Sequence, residues 1–267
     1  MNNNKYVLIL GCSGGFGRAT ALELASAGYN IFGVHLDFGS NKKNAEELLE
    51  QIKNMGVDAT FFNLNAADEN NRKTVIDSIK SKLENKPGTF INVLIHSLAF
   101  GSIGPLISPN AQEQLQQKNL EMTLHVMAHS LLYWSQDLIH NGLIHNGSRI
   151  LALTSAGSSR AMKNYGAVSV AKAALEAYVR QLSVELAPYK ITVNALSPGV
   201  TNTQAIKHIP GFESMLNASK KVNPNQRNTM PEDVAKAISM IIDDKSYWIT
   251  GQIIAVDGGE SIVNSFE

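Results

Sequence analysis

A glycine-rich turn between an apolar strand and a helix is the feature that most restricts how this chain can fold. The run Tyr6-Val-Leu-Ile-Leu10 has the pattern of a buried strand, and Gly11-Cys-Ser-Gly-Gly15-Phe-Gly17 leads from it into a segment with helical periodicity. In a dinucleotide-binding unit the first glycine permits the tight turn, the second lets backbone approach a pyrophosphate, and the third allows close helix packing. N–H groups at the helix N-terminus attract the anion. The pattern favours a dinucleotide site, with an ordinary glycine-rich turn as the alternative.

An acidic residue follows the second predicted strand. The run Ile31-Phe-Gly-Val-His-Leu36 ends at Asp37, twenty residues after Gly17. At that distance in a dinucleotide fold, an acidic side chain bonds the ribose 2′-hydroxyl and repels a 2′-phosphate. Asp37 therefore favours NAD(H) as the cofactor. Arg18 follows the turn directly and could reach a phosphate, so NADP(H) is the alternative.

The remainder of the chain alternates strand-like and helix-like segments. This alternation predicts an α/β protein with a Rossmann-type doubly wound parallel sheet in three αβα layers. Helices are predicted near 43–55, 68–83, 112–139, 165–186 and 231–242, and strands near 59–64, 91–96, 149–154, 191–196 and 252–256. Ligands of such sheets bind beyond the carboxyl ends of the strands. Here those ends carry Gly11, Asp37, Asn65, Ser97, Ser155 and Ser197.

Composition is that of one compact domain, which we place at residues 1–267. The chain has 267 residues, 44% of them hydrophobic, enough for one large core. Basic and acidic residues both number 23, so charge gives no reason to expect nucleic acid or an anionic membrane as partner. Tyr6–Leu10 is too short for a secretory signal, and no run approaches the roughly 18 apolar residues of a membrane helix. We expect a cytoplasmic protein.

Two other features point to packing. Cys12 is the single cysteine, and we interpret it as a small buried residue of the glycine turn. His125 and His129 are four residues apart on a predicted helix and could in principle bind one metal ion. No glutamate of the metalloprotease pattern lies between them, and no third ligand is evident. We therefore predict no metal site.

Tyr165 and Lys172 suggest catalysis. They are seven residues apart, close to two helical turns, so in a helix both side chains project from one face. A tyrosine hydroxyl titrates near pH ~10, and a lysine cation about 4 to 6 Å away would lower its pKa. Such a pair suits a proton donor in a reduction. Taken by itself, the pair has a solvated or packing role as its alternative.

Four motifs, in this order, resemble the short-chain dehydrogenase/reductase family over nearly the whole chain. They are the glycine turn, the Tyr165/Lys172 pair preceded by Ser155, the segment Pro198-Gly-Val-Thr-Asn-Thr203, and the terminal Val256-Asp-Gly-Gly259. In most members of that family the lysine follows the tyrosine by four residues, a position held here by Ser169. The seven-residue spacing is typical of the enoyl-acyl carrier protein reductase branch.

Other local features also resemble that branch. His96-Ser-Leu-Ala-Phe100 replaces the Asn-Asn-Ala-Gly of ordinary members, and Met127 stands where ketone reductases usually place a catalytic asparagine. The best-known enoyl reductases carry a second tyrosine ten residues before the first, whereas this chain has Ser155. The chain is therefore similar to the variant enoyl reductases that keep a serine there. Ser155 could also serve a carbonyl reductase.

The resemblance implies NAD(P)H-dependent reduction of the trans-2 double bond of an enoyl thioester in fatty acid synthesis, the acyl group being carried by acyl carrier protein or coenzyme A. Tyr165 and Ser155 would hydrogen-bond the thioester oxygen, and Lys172 would hold the nicotinamide ribose. The cofactor-binding residues that it implies are Gly11, Ser13, Gly15, Phe16, Gly17, Asp37, Asn65, Ala66, Ser97, Leu98, Ala99, Tyr165, Lys172, Pro198, Gly199, Val200 and Thr203. For Asn65 and Ala66 an ordinary turn role is the alternative.

Several further expectations accompany this reading. Residues 203–227 contain Pro210, Gly211 and Pro224 and interrupt the strand and helix rhythm, so we expect a mobile lid over the acyl chain. Family members that prefer NADP often carry a basic residue at the position of Gly14, which adds weak support for NAD(H). The family also suggests a homotetramer.

The main alternative function is a 3-oxoacyl (carbonyl or alcohol) oxidoreductase of the same fold. The seven-residue spacing, Ser169 and Met127 all favour the enoyl reductase over it. A cofactor-binding regulatory protein without turnover is a second alternative. The intact Tyr165/Lys172 pair disfavours it.

Overall fold

Seven parallel strands form one sheet in the computed structural model, which describes residues 4–263. The strands are β1 (Lys5–Leu10), β2 (Asn30–His35), β3 (Ala59–Asn63), β4 (Phe90–His96), β5 (Arg149–Leu153), β6 (Thr192–Pro198) and β7 (Ile253–Val256). Their order across the sheet is β3-β2-β1-β4-β5-β6-β7. The chain runs outward from β1 to β3 and then returns to place β4 on the other side of β1. This reversal is the topological switch point at which doubly wound sheets bind ligands.

Helices cover both faces of the sheet. Within residues 4–263 the α-helices are α1 (Gly15–Ser26), α2 (Ser40–Lys53), α3 (Glu69–Glu84), α4 (Gln117–Leu124), α5 (Ser130–His140), α6 (Gly166–Glu185), α7 (Phe212–Val222) and α8 (Pro231–Ile241). Side chains of α3, α5 and α6 join one buried cluster with strand residues such as Leu8 and Phe32. Side chains of α1, α2 and α8 join the cluster on the other face, around Ile9. The predicted three-layer αβα fold is confirmed.

The central strands explain why the sheet is covered on both sides. Val7, Leu8, Ile9 and Leu10 of β1 are all fully buried, although successive side chains of a strand point to opposite faces. A strand with apolar side chains on both faces is stable only when both are covered, which is typical of parallel sheets. The unbroken apolar run before the glycine turn therefore selects a central position for β1.

The long helix predicted over residues 112–139 differs from the structure in two ways. Helix α4 begins at Gln117, and a π-helical turn over His125–His129 separates it from α5. A π-turn inserts an extra residue into a helix and often occurs at a functional site. The turn carries Met127, which is buried at 3% exposure.

Two other segments depart from the predicted boundaries. Tyr165 caps helix α6 from outside, with φ −101° and ψ 5°, instead of lying within the helix. Residues 203–227 are not devoid of regular structure, because they contain a 3₁₀ turn over Ile206–His208 and the whole of α7. The lid function assigned to this segment is taken up below as a proposal.

Gly17 allows α1 to lie directly against the glycine turn, and its replacement gives a first testable prediction. A Cβ on Gly17 would overlap the Gly11 carbonyl oxygen and lie 2.8 Å from its carbon. We expect Gly17→Ala to destabilise the protein by about 2–3 kcal/mol in urea denaturation, because rigid backbone cannot move aside cheaply. Gly14→Ala is the matched control, since nothing lies within 4 Å of its Cβ position, and it should cost less than about 1 kcal/mol, the usual size of an N-cap effect. Equal stability of the two variants would contradict this packing.

Candidate active site

A cavity of about 500 Å³ opens beyond the carboxyl ends of β4, β5 and β6. The three loops that follow these strands, the start of α6 and the 203–227 segment all contribute to its walls. It brings together many of the residues predicted from the sequence, namely Phe16, Ser97, Leu98, Ala99, Ser155, Tyr165, Lys172, Pro198, Gly199, Val200 and Thr203. Residues far apart in the chain thus meet where the fold places ligands.

The predicted glycine turn leads directly to this cavity. Gly11 adopts φ +83°, and a Cβ there would lie 2.6 Å from the Ser97 carbonyl oxygen, so the turn passes closely over the end of β4. Gly15 adopts φ +47° and faces the side chain of Thr203, which lines the cavity. Ser13 lies partly buried in the same turn. Only glycine accommodates the positive φ of both turn positions without strain.

The N-terminus of α1 fits an anionic group. Its N-cap residue, Gly14, makes no side-chain capping hydrogen bond, and the first turn carries no acidic residue. The N–H groups of that turn therefore have no side-chain acceptor and carry the positive end of the helix dipole. Together with the side-chain-free surface of the turn, this geometry fits the pyrophosphate of a dinucleotide.

Asp37 lies at the carboxyl end of β2, as predicted, and its side chain is 16% exposed. Its backbone N–H donates to Asn63 Oδ1 at 2.9 Å, and its carbonyl accepts from Asn63 Nδ2 at 3.0 Å. Burial, and after it the negative charge of Asp37, raises the pKa of the Cys12 thiol. Cys12 is fully buried, so it has the packing role expected for it, and the carboxylate lies near the glycine turn.

Asn65 and Ala66 support the local chain. Asn65 Oδ1 accepts a hydrogen bond from the Ala67 N–H at 3.0 Å. The Ala66 carbonyl accepts a hydrogen bond from Trp134 Nε1 at 2.8 Å. Both contacts hold the loop after β3, and a place for these two residues beside the adenine stays a prediction.

Lys172 is buried at 5% exposure and is held by two backbone carbonyls. Its Nζ donates to Leu153 O at 2.7 Å and lies 3.5 Å from Leu98 O, so the end of β5 and the loop after β4 position it together. Burial lowers the pKa of Lys172 to about 8, opposed in part by Glu176. An ammonium group has three hydrogens to donate, so one remains for a ligand in the cavity.

Tyr165 and Ser155 meet in the cavity as predicted. The Ser155 Oγ is buried and has no hydrogen-bond partner within residues 4–263. It lies near enough to the phenol to lower the pKa of Tyr165, although the pair does not reach regular hydrogen-bond geometry. Buried hydroxyls usually have partners, so this unpaired oxygen fits a ligand that supplies one.

The ionisation of Tyr165 differs from the expectation. Burial raises the pKa of Tyr165, and the nearby Ser155 hydroxyl opposes this only in part. The prediction that Lys172 lowers the Tyr165 pKa is therefore wrong, because burial penalises the phenolate more than its neighbours stabilise it. Tyr165 stays protonated at neutral pH and can donate a hydrogen bond.

The cavity also has an apolar wall that sequence patterns did not indicate beyond Met127. Met127 lies on the π-turn, and its Sδ is 2.9 Å from the position that a Cβ on Gly101 would take. Several other apolar wall residues come from separate segments of the chain, among them Ile103, Met162, Val168, Ile206, Ile209 and Met215. No periodic pattern unites them, so only the folded chain reveals this surface.

The loop after β7 makes hydrogen bonds to three other segments at the rim of the cavity. Glu260 Oε2 accepts a hydrogen bond from the Val200 N–H at 3.1 Å and another from Ser219 Oγ of α7 at 2.7 Å. Arg160 donates to the Ser261 carbonyl at 2.7 Å. The terminal Val256–Gly259 motif pointed toward this region, but the bridging role of Glu260 depends on contacts distant in sequence.

The two histidines of the π-turn bind protein groups. His125 Nε2 lies 2.8 Å from the Ala67 carbonyl, and His129 Nδ1 lies 2.9 Å from the Tyr178 hydroxyl. Among residues 4–263, no group of three or more histidine, cysteine, aspartate or glutamate side chains could hold a metal ion. No helix in the same part of the chain is both long and apolar enough to cross a membrane.

Comparisons with known proteins agree with this geometry. A family model described as Enoyl-(Acyl carrier protein) reductase matches residues 11–261. A Rickettsia prowazekii (strain Madrid E) protein, named enoyl-acyl-carrier-protein reductase (NADH) FabI, is 32% identical over 221 residues, which are 83% of this chain and 82% of the relative.

Two solved structures share the fold over almost the whole chain. One is an enoyl-(acyl-carrier-protein) reductase from Anaplasma phagocytophilum in complex with NAD, with a TM-score of 0.81 at 25% identity over 99% of this chain and 95% of the other. The second is the promiscuous reductase LugOII, described as catalysing keto-reduction at C1 during lugdunomycin biosynthesis. It has a TM-score of 0.81 at 27% identity and covers 97% of this chain and 98% of its own.

The glycine turn, the buried Lys172 and the Tyr165 cavity thus occur in a chain whose relatives are oxidoreductases with nicotinamide cofactors. The family model spans nearly all of the described residues. This protein is therefore an oxidoreductase that belongs to the enoyl-(acyl carrier protein) reductase family, within the short-chain dehydrogenases and reductases.

Proposed function

We propose that the protein reduces the trans-2 double bond of an enoyl thioester, carried by acyl carrier protein, in fatty acid synthesis with NADH. The observation that carries the proposal is the surroundings of Tyr165. Its phenol and the unpartnered Ser155 hydroxyl line one cavity, and the wall of that cavity includes the apolar Met127 where a ketone reductase would have an amide. The site can hydrogen-bond one oxygen beside an apolar wall.

The hydrogen bonds at this oxygen are what the chain contributes to the chemistry. When bound, the nicotinamide supplies a hydride to the β-carbon of the enoyl group. Negative charge would then develop on the thioester oxygen, and the Tyr165 and Ser155 hydroxyls, which line the same cavity, would donate hydrogen bonds to it. The raised pKa of Tyr165 keeps the donated proton on the phenol until this charge appears.

Lys172 has a positioning and an electrostatic role in this proposal. Two of its three hydrogens point to the Leu153 and Leu98 carbonyls, and the third is free for the nicotinamide ribose hydroxyls. A charged ammonium close to the cavity also stabilises the negative charge of the transition state. With a pKa of about 8, the ammonium form predominates at neutral pH.

The lid proposal concerns residues 203–227. Ala205, Ile206, Ile209 and Met215 of this segment line the cavity, and Ser219 of α7 is tied to Glu260. We propose that the segment covers the acyl chain and excludes water, so that hydride transfer occurs in apolar surroundings. It supplies much of the apolar surface that a saturated hydrocarbon chain would contact.

The preference for NADH rests on Asp37. Its carboxylate stands at the end of β2, where it can bond a ribose hydroxyl and repel a 2′-phosphate. Arg18 was the argument for NADPH, but its guanidinium lies 3.5 Å from Gln51 Oε1 of α2. The Rickettsia relative is named as an NADH enzyme, and the Anaplasma structure holds NAD.

The 3-oxoacyl reductase is the second candidate, and one observation favours it. A serine and a tyrosine that share one oxygen-binding position, as Ser155 and Tyr165 do, also suit a ketone. LugOII, whose structure matches 97% of this chain, is described as a promiscuous reductase that catalyses keto-reduction. The two candidates differ in which bond of the thioester substrate accepts the hydride.

Initial rates of NADH oxidation test the proposal. We expect turnover with crotonyl-coenzyme A to exceed that with acetoacetyl-coenzyme A by more than about tenfold, a difference of roughly 1.4 kcal/mol in barrier height. NADPH in place of NADH should lower kcat/KM through the Asp37 carboxylate. Turnover of acetoacetyl-coenzyme A alone would make the protein a carbonyl reductase.

A homotetramer is also part of the proposal. Met240, Tyr247 and Trp248 precede the edge strand β7 and are exposed, Trp248 by 86%. Large exposed apolar side chains that lie close together in the sequence are typical of surfaces that other subunits cover. Light scattering should give a mass near four chains, and a monomeric mass would contradict the assembly.

A further inference from the structure

The buried ring of His35 makes a hydrogen bond with the carboxylate of Asp37. The Nδ1 atom of its ring lies 2.7 Å from Asp37 Oδ2. His35 is the last residue of β2, and its side chain is only 6% exposed. The two residues are separated by Leu36 alone, so the buried ring and the partly buried carboxylate belong to one short stretch of chain.

Neighbouring contacts fix both partners of this pair. The His35 ring stands edge-on to Phe61 with centroids 5.9 Å apart, and its carbonyl accepts from the Leu64 N–H at 2.8 Å. Asn63 binds both backbone polar groups of Asp37. The backbone of Asp37 is therefore held by β3, and the rotation of its side chain is restrained by His35.

The hydrogen bond also defines which atoms remain for a ligand. An ionised carboxylate has no hydrogen to donate, so Nδ1 of His35 carries the hydrogen whenever Asp37 is charged. Asp37 Oδ2 is then engaged from the buried side. Within residues 4–263 no hydrogen bond reaches Asp37 Oδ1, which leaves that oxygen as an acceptor for a hydroxyl.

We propose that His35 is a positioning residue that sets the selectivity of the site for a dinucleotide with a free ribose 2′-hydroxyl. By holding Oδ2, it presents Oδ1 to that hydroxyl and keeps the negative charge where a 2′-phosphate would stand. This inference deepens the proposed NADH site and rests on it. It does not depend on which acyl substrate the enzyme reduces.

Direct binding measurements on the free enzyme test the proposal. We expect His35→Leu to lower the ratio of the NADPH dissociation constant to that of NADH by roughly tenfold, the usual effect of losing a hydrogen bond to a charged group. Quenching of protein fluorescence reports both constants without any acyl thioester. At saturating NADH, kcat should stay unchanged, because His35 does not line the catalytic cavity.

Two amide variants separate positioning from simple packing. In His35→Asn the amide nitrogen stands at the place of Nδ1, so it can still donate to Asp37 and should retain most of the selectivity. In His35→Gln the amide stands near Nε2 instead and should lose selectivity like His35→Leu. This comparison also serves if His35→Leu does not fold. Equal selectivity in the two amide variants would overturn the proposal.

A double-mutant cycle then locates the effect at Asp37. Because His35 acts through the carboxylate, His35→Leu should change the selectivity little when Asp37→Ala is already present. Additive losses would show that His35 acts on its own and would overturn the proposal. If the wild-type protein binds NADPH better than NADH, the proposed NADH preference fails, and the cycle still reports whether the two residues are coupled.

Discussion

Tyr165→Phe is expected to lower kcat for enoyl thioester reduction by roughly 10²–10³-fold, the range found when a donor to a developing oxyanion is removed. The substitution removes only the hydroxyl, which is the group that faces the unpartnered Ser155 oxygen across the cavity. The aromatic ring, which lies against Gly157, stays in place. We therefore expect kcat to fall while the fold stays unchanged.

The matched control for this prediction is NADH binding. The dissociation constant of NADH and the urea midpoint should both stay close to those of the wild type, since the aromatic ring stays in place against Gly157 and the proposal gives the ribose contact to Lys172. Ser155→Ala should show a smaller loss of kcat, because Tyr165 remains as donor. If Tyr165→Phe kept the full kcat, Tyr165 would have no role in the chemistry.

Lys172→Met is expected to produce the second large effect, on both activity and alkaline stability. Activity should fall by about 10²-fold or more, because the cavity loses a buried positive charge and the donor proposed for the ribose. NADH affinity should fall with it, which distinguishes this variant from Tyr165→Phe. Unchanged NADH binding would contradict the ribose contact.

The stability effect of Lys172 has a definite sign. The pKa of Lys172 is about 8 in the folded protein and has an ordinary value of 10.5. Between these values the unfolded chain binds a proton that the folded protein does not, so the contribution of Lys172 to stability rises with pH across this window. The rise is on the order of 3 kcal/mol. Below about pH 8 both states are protonated, and the cost of burying the charge is fully present.

Urea denaturation of the wild type and of Lys172→Met between pH 7 and 10.5 measures this contribution. The difference between the two stabilities is the quantity of interest, because the other lysines and tyrosines titrate in both proteins and cancel. We expect the free energy of unfolding of the wild type to increase relative to that of the variant as the pH rises above about 8. Stability curves that stay parallel would show that Lys172 keeps its ordinary pKa in the fold.

Much of this architecture follows from local sequence. The apolar run of β1, the glycine turn and the repeated alternation of strands and helices predict a covered parallel sheet, because each is a property of neighbouring residues. The positions of Ser155, Tyr165 and Lys172 around one cavity were also predictable, since Ser155 follows a strand end and the other two are close to two helical turns apart at the start of the next helix. A shared sheet edge brings such residues together.

The features that could not be predicted depend on contacts between distant segments. A π-turn over five residues differs too little from an α-helix in its side-chain pattern to be recognised within residues 112–139. The raised pKa of Tyr165 results from burial by several loops, which outweighs any effect expected from its spacing to Lys172. Glu260 gains its bridging contacts with Val200 and Ser219 only in the folded chain.

The most direct test of the central claim is a competition with labelled cofactor. Equal amounts of crotonyl- and acetoacetyl-coenzyme A are incubated with the enzyme and with NADH that carries deuterium at both C4 positions, and the products are identified by mass spectrometry. Tyr165→Phe provides the control for catalysis in this site. The account predicts butyryl-coenzyme A with one deuterium at C3 as the main product. Deuterated 3-hydroxybutyryl-coenzyme A as the main product would contradict it.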